Sequence, residues 1–450
     1  MKLLKMSKEE RKEIGGMMWP VFIEQFCIAV MGTFISMIVK GSGLQAVASI
    51  NLLNSVTMLF QQAYTAIGIG VTVVVAQFRG RGDTKSTGRA ASQSTMLAVY
   101  MASVVAALCL VFMTPILNVV LQDSEPLIYE YSRIYLTYNV ISLPFIGIYT
   151  VAAAAIRGSG FPRLSLIATL VHNVAYAVMA LLAVQVFNAG ILGVSIALLA
   201  SRVFAAAAGL VLLKRGNKNM QVETLLAFKI EKSILKPMML VGLPIFLENL
   251  LFQVGKVITQ TFSVAYGTVG IAVNGIANNM FSMMMVPGTA ASNAAPPIVG
   301  RYCGMGDKEG ARRKGYQFIL LAVIFMALAS LLMFVLLDPV ARFYSDDAYV
   351  QTQIKLVVGL CAAVIPILWP LGFVVPAILR SSGDSRYSSV IAVLAMIFMR
   401  VGLGYYLTQV LHTGVIGIWI AMYADFVFRA VFFIPRLIKG KWLEKKLIDD

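Results

Sequence analysis

Long apolar runs dominate the chain, separated by short segments rich in Lys, Arg, Gly and Pro. Twelve runs can be drawn, at 17–39, 47–75, 92–120, 133–156, 164–188, 190–213, 238–264, 268–298, 315–341, 352–379, 388–411 and 414–436. At about 1.5 Å of rise per residue each can cross a hydrocarbon core of ~30 Å as a helix, and in lipid only a helix or a closed barrel satisfies its own backbone. The runs predict an all-α polytopic membrane protein with twelve transmembrane helices. Two of them open alike, as Trp19-Pro20-Val21-Phe22-Ile23-Glu24 and Leu243-Pro244-Ile245-Phe246-Leu247-Glu248. A proline followed one turn later by a carboxylate is costly inside a membrane helix, so its recurrence points to a duplicated chain.

Other pairs keep the same spacing. Pro20 and Pro244, Glu24 and Glu248, Gly43 and Gly267, Gly80 and Gly304, Gly82 and Gly306, Asp83 and Asp307, and Pro115 and Pro339 all lie 224 positions apart. Gly190-Ile-Leu-Gly193 and Gly414-Val-Ile-Gly417 share that offset, and Arg157-Gly-Ser-Gly160 and Arg380-Ser-Ser-Gly383 lie 223 apart. One repeat holds six spans, and because six is even both halves enter from the same face, as a parallel repeat about the membrane normal. The expected organisation is two pseudo-symmetric six-helix lobes, 1–213 and 238–450, joined by a cytoplasmic linker at 214–237, with a cleft between them. The linker mixes Lys214, Arg215, Lys218, Lys229, Lys232 and Lys236 with Leu225, Leu226, Phe228 and Ile230, which suits a segment lying partly on an anionic leaflet.

Composition narrows the class. At 59% hydrophobic and 13% charged, with a mean hydropathy of +0.81, the 450-residue chain is too apolar for a soluble globule. The net charge of +16 suggests nucleic acid only until it is located. With a cytoplasmic N-terminus, 29 of the 37 Lys and Arg fall in cytoplasmic segments, 4 outside (Lys40, Arg133, Arg342, Lys355) and 4 within spans (Arg202, Lys256, Arg400, Arg429). That is the positive-inside pattern of a multi-pass protein of the cell inner membrane with both termini cytoplasmic, and nucleic acid is not an expected partner. The basic N-terminal flank precedes a membrane-length run, so no cleavable leader is expected. Cys27, Cys109, Cys303 and Cys361 show no paired spacing, and neither a disulfide nor a metal site is expected. An adhesion reading of Arg81-Gly82-Asp83 fails on its cytoplasmic position.

Taken in order, the Pro-x-x-x-Glu openings, the Gly-x-Gly-Asp turns after the second and eighth spans, the Arg-x-x-Gly turns after the fourth and tenth, and Gly417-Ile-Trp419-Ile-Ala-Met-x-x-Asp425-x-x-x-Arg429 in the last resemble the multidrug and toxic compound extrusion (MATE) transporters. The resemblance covers nearly the whole length. It implies two six-helix lobes in a V around a central cleft, alternating access, and export of organic cations driven by inward H⁺ or Na⁺. It further implies a monomeric antiporter in the lipid bilayer, a small cationic amphipathic substrate, no enzyme activity, and no cofactor beyond the transported ion. One departure stands out. Many members carry an Asp in the outer half of the first helix as a coupling-ion ligand, whereas Phe34-Ile35-Ser36-Met37-Ile38-Val39 has no carboxylate, and the apolar core of the tenth span has none either. The alternative is a lipid-linked saccharide flippase of related architecture, compatible with four basic and three acidic residues inside spans. A primary pump is disfavoured by the lack of a Gly-x-x-x-x-Gly-Lys-Ser/Thr loop, and a membrane enzyme by two histidines and scattered carboxylates.

Three carboxylates lie within spans, Glu24, Glu248 and Asp425, and each must be paired, hydrogen-bonded or neutral there. A buried Glu can be poised to exchange a proton, so these three are the coupling-ion candidates; the plain alternative is that each accepts static hydrogen bonds. Glu248 is favoured because Asn249, Gln253, Lys256 and Gln260 form a polar stripe beside it. The substrate-cleft set adds Asn54 and Gln61 on the second span, Asn274 and Asn278 on the eighth, and Met284 in the cluster Met280, Met283, Met285. Isolated Asn and Gln also serve as interhelical glue, and methionine as core filler. Arg400 and Asp425 fall near mid-membrane on the antiparallel last two spans, and Arg429 lies one turn from Asp425, which predicts a structural ion pair. Arg202 has no acid nearby in sequence, with Glu24 as its candidate partner, and His172 reads as a core histidine. Pro366, Pro370 and Pro376 predict a kinked tenth span, and Pro296-Pro297 a kink at the end of the eighth.

Overall fold

A computed structural model describes residues 6–41, 43–121, 125–215, 220–222 and 231–448. Among these residues every regular element is helical. Lys218, Leu225, Leu226, Phe228, Lys229 and Ile230 of the linker lie outside the described residues. Among the described residues ten helices are long and apolar enough to cross a membrane, or eleven when Pro126–Ile141 and Leu143–Gly158, bent by 47°, form one span. The count falls below twelve because Lys232–Met284 is a single apolar stretch of 53 residues that takes in the run at 238–264 and the start of that at 268–298. As one straight helix 53 residues would reach about 80 Å, well over twice a hydrocarbon core. The chain instead turns at Val264–Tyr266 and Gly267 and starts a second helix, Gly267–Met284.

By contacts the chain forms two compact units, Met1–Phe22 with Leu243–Leu447, and Ile23–Gly242 with Ile448–Asp450. Each has its own core, built around Phe318, Ile365, Trp419 and Phe433 in the unit of the second repeat and around Leu53, Leu117, Leu136 and Val194 in that of the first. The units follow the repeat except in the proline-bearing helices, which divide just past Pro20 and just before Pro244. The opening turns of the first helix (Lys8–Lys40) belong with the second repeat for an electrostatic reason. Glu10 meets Arg313 at 2.9 Å and Lys314 at 3.4 Å, while Glu13 meets Lys314 and Arg301 at 2.9 Å each. Lys314 is buried, and an ammonium there needs carboxylates.

The repeated turns are helix stops joined to helix starts. In the first, the Asp83 N–H reaches back to Phe78 O at 3.1 Å and the Gly82 N–H to Arg79 O at 3.0 Å, a closure that requires the left-handed φ of +76° at Gly82. Asp83 then caps Thr84–Val111 by accepting the Ser86 N–H at 2.9 Å, contacts that hold its carboxyl below the usual range. Gly306 (φ +75°) and Asp307, which accepts the Gly310 N–H at 2.8 Å, repeat the device. The same backward closure ends the fourth and tenth spans at Gly160 and Gly383, leaving Arg157 and Arg380 in the final helical turn.

Proline acts at some of its positions and not others. Pro370 opens a π-helical turn, Pro370–Val374, which makes room for the ring. Pro296 and Pro297, expected to kink the eighth span, stay within the helix Val286–Gly304. The break falls at Met285 instead, ahead of Pro287 in the first turn, where a missing N–H has no intrahelical partner to lose. Further π turns at Leu182–Val186 and Tyr406–Val410 preserve the 224 offset.

Replacing Asp83 or Asp307 by Ala is expected to lower unfolding free energy by about 1 kcal/mol, and by Asn, which also caps, to leave it near wild type. Thermal unfolding in detergent reads both; equal melting of the Ala and Asn variants would contradict the capping role.

Candidate coupling and substrate site

Pro20 and Pro244 each stand one turn ahead of a glutamate, and each glutamate meets the arginine of the Arg-x-x-Gly turn in its own unit. Glu24 Oε1 accepts from Arg157 Nη1 at 2.7 Å. Glu248 Oε2 accepts from Arg380 Nη2 at 2.5 Å and from Ser389 Oγ at 2.7 Å. Both glutamates are buried. The glycine that ends each helix fixes where its arginine stands, and a cation in the last turn also faces the carbonyl end of the helix dipole. The two pairs differ in closure. Glu24 Oε2 is buried without a hydrogen-bond partner, and Ser165, 224 positions before Ser389, keeps its own buried hydroxyl oxygen unpartnered. Arg202, the partner expected for Glu24, is engaged elsewhere, because the Arg157 turn brings a guanidinium to the carboxylate first.

Asp425 is fully buried on the last helix, Val415–Lys439. Arg429, one turn along, donates from Nε to its Oδ1 at 2.8 Å and from Nη2 to its Oδ2 at 3.4 Å. Arg400 stands at 3.7 Å, so the i,i+4 arginine makes the hydrogen-bonded contact and the arginine of the neighbouring helix the looser one. Aromatic faces cover the remaining charge, with Arg400 over Phe252 and Arg429 over Phe373, both at 5.0 Å. Lys256 is an electrostatic neighbour of Arg400. Two arginines thus hold one carboxylate, and a lysine neighbours one of them.

In the unit of the first repeat, Arg202 on Gly190–Arg215 is only 4% exposed. Its Nη1 donates to Ser142 Oγ at 2.5 Å, to Asn139 Oδ1 at 2.9 Å and, at 3.4 Å, to Asn139 O. Asn139 is itself fixed by donating from Nδ2 to Thr57 Oγ1 at 2.9 Å. Arg202 Nε and His172 Nδ1 are buried without partners. Tyr64, Tyr135 and Tyr176 are the electrostatic neighbours of the guanidinium, and His172 lies parallel to Tyr176 with centroids 6.5 Å apart. No carboxylate pairs with Arg202 among the described residues.

Other predicted residues scatter. Asn249, Gln253 and Lys256 are half-buried and Gln260 is exposed. Gln61 is exposed, and the side chain of Asn54 lies outside the described residues. Asn278 Nδ2 donates to Asn274 O at 2.8 Å and Oδ1 at 3.2 Å, an i,i+4 bond within one helix. Met284 sits in the hydrophobic core at 1% exposed, whereas Met283, one position away and so about 100° around the helix, is 62% exposed. Sequence reasoning missed Arg157 and Arg380 as partners of the glutamates. Their nearly matching offset, 223 against 224, was the available signal. Among the described residues no group of three His, Cys, Asp or Glu could hold a metal ion.

Comparison with known proteins matches the repeat. Residues 20–182 and 244–406 each match the MatE family, so the two matches begin at Pro20 and Pro244 and keep the 224 offset to their ends. A probable multidrug resistance protein NorM of Thermotoga maritima is 25% identical over 460 residues, covering 98% of this chain and 94% of its own. An uncharacterized transporter, YisQ, of Bacillus subtilis is 22% identical over 452 residues, covering 98% and 97%. In fold, the chain matches a crystal structure of MATE in the bent conformation with a TM-score of 0.89 at 19% identity, covering 98% of both chains. These relatives do not favour the saccharide-flippase alternative.

Asp425→Asn is expected to cost about 3–5 kcal/mol of stability, because it leaves buried guanidiniums uncompensated. Adding Arg429→Gln should recover part of that loss. Denaturation in detergent checks it, and unchanged stability in both variants would remove the brace.

Proposed function

The chain belongs to the MatE family, and from that premise we propose that it is a secondary active exporter of small amphipathic compounds, an antiporter that exchanges each for inward-moving H⁺ by alternating access. The observation that carries the coupling is the unequal closure of the two Glu–Arg pairs. A proton can join Glu24 Oε2 without displacing a hydrogen bond, and the neutral acid then holds Arg157 less tightly. Glu248 takes a second donor, Ser389, where among the described residues Glu24 has none besides Arg157, and Glu248 is assigned as a brace. This reverses the order expected from the polar stripe, which favoured Glu248, and leaves Asp425, held by two arginines, as the third choice. H⁺ suits Glu24 better than Na⁺, since a metal ion there would lie against the Arg157 charge.

A purely cationic substrate would need a carboxylate to receive it, and all three in the spans face arginines. Amphipathic compounds held chiefly by apolar and aromatic contact are therefore the class assigned. Both repeats reside in one chain, which supports a monomer as the working unit, and the distribution of Lys and Arg supports an inner-membrane position with both termini cytoplasmic.

Efflux of a fluorescent amphipathic dye from proteoliposomes, under separately imposed H⁺ and Na⁺ gradients, tests this reading. H⁺ alone is expected to drive it. Glu24→Gln should reduce H⁺-driven efflux to the passive leak while still folding, because Gln still accepts from Arg157. Glu248→Gln, which likewise still accepts from Arg380 and Ser389, should keep H⁺-driven efflux. Wild-type efflux by Glu24→Gln beside an inactive Glu248→Gln would return the coupling role to Glu248, and efflux driven by Na⁺ alone would remove H⁺ from the scheme.

A further inference from the structure

We propose that Arg202 anchors a carboxylate-binding site inside the unit of the first repeat, one that receives the carboxylate of a ring-bearing amphipathic substrate. The inference deepens the exporter reading by naming a substrate group, and it rests on that reading for its role in transport. A guanidinium stays protonated under all working conditions, and a buried one without an anion is costly. Arg202 is 4% exposed and pairs with no acid among the described residues. Glu24, the partner the sequence suggested for it, is already held by Arg157. The repeat shows what is missing: Asp425, which compensates the arginines of the second unit, corresponds at an offset of 224 to Ser201, beside Arg202.

The hydrogen-bonding pattern leaves one side of the fork for a ligand. Nη1 is occupied by Asn139 and Ser142, and Asn139 is locked in turn by Thr57. Nε has no partner, and it lies on the side-on edge of a guanidinium that a carboxylate bridges with both oxygens. Phenols and rings lie near the guanidinium. Tyr64, Tyr135 and Tyr176 neighbour the charge, and His172, its Nδ1 also unpartnered, lies between Tyr176 at 6.5 Å and Tyr149 at 5.5 Å. Such neighbours suit a planar organic carboxylate better than a hydrated inorganic ion, whose shell they would strip without replacing.

The test is binding of benzoate to the purified full-length protein in detergent by calorimetry, with benzamide as the uncharged isostere and chloride as the small anion. Benzoate is expected to bind and benzamide not to. Arg202→Gln should weaken benzoate by about tenfold or more, the loss of a charge-assisted pair. Arg202→Lys, which keeps the charge for the fold but lacks the side-on fork, should weaken it while melting near wild type, so a misfolded Gln variant would not leave the idea untested. Benzoate affinity unchanged in Arg202→Lys and in any folded Arg202→Gln protein overturns the site. So does equal binding of benzamide, and chloride displacing benzoate at equal concentration replaces the carboxylate with a small anion. Dye efflux by the wild type fails or succeeds independently, so failure of the site and failure of the exporter reading are told apart.

Discussion

Burying a carboxylate beside a guanidinium costs roughly several kcal/mol of desolvation per ion, and the cost is offset only when geometry is tightly held. This chain makes that arrangement at corresponding places in both units, Glu24 with Arg157 and Glu248 with Arg380, and its most conspicuous sequence features serve it. Pro20 and Pro244 place a glutamate one turn farther along a helix. Gly160 and Gly383 end two others, so that Arg157 and Arg380 stand in their last turns. Moving either stop by a single residue would swing the arginine about 100° around its helix and away from its partner. The glycine, the arginine and the glutamate therefore form one constraint, carried by residues more than a hundred positions apart.

What was legible in the sequence is what depends on local physics. Membrane-length runs, the duplication, and the Gly-x-Gly-Asp turns could all be read, because a left-handed glycine, a capping aspartate and an apolar span make their demands regardless of neighbours. Lateral neighbours could not be read in the same way. Glu24 had two arginines available in its repeat, and nothing in local spacing preferred Arg157 to Arg202. The preference comes from which helix end reaches the carboxylate. Met283 and Met284 illustrate the same limit, since adjacent residues of one type part between surface and core according to helix rotation alone. Pro296 and Pro297 look more disruptive in sequence than Pro287, yet the break accompanies Pro287 because a broken turn already stood there to receive it.

With each glutamate neutralised by an arginine, the charge within the spans that remains is positive in both units. Around Asp425 one carboxylate answers Arg429 and Arg400, and Lys256 neighbours Arg400. Among the described residues no acid pairs with Arg202, whose hydrogen bonds go to the carbonyl and amide oxygens of Asn139 and the hydroxyl of Ser142. Dipoles lower the cost of a buried charge but do not cancel it, so Arg202 remains electrostatically available in a way that Arg429 is not.

The duplication accounts for why such a difference is tolerated. The helix ends of each unit are set by its glycine stops, its aspartate caps and the arginine that meets its glutamate, and all of these occur in both copies near the same offset. Substitution of an acid by Ser201, or of a serine by Asp425, touches none of them. Side chains in the middle of the spans are thus free to diverge in charge while the scaffold that positions them stays the same, and two copies of one structural unit can offer unlike chemistry to the compound that passes.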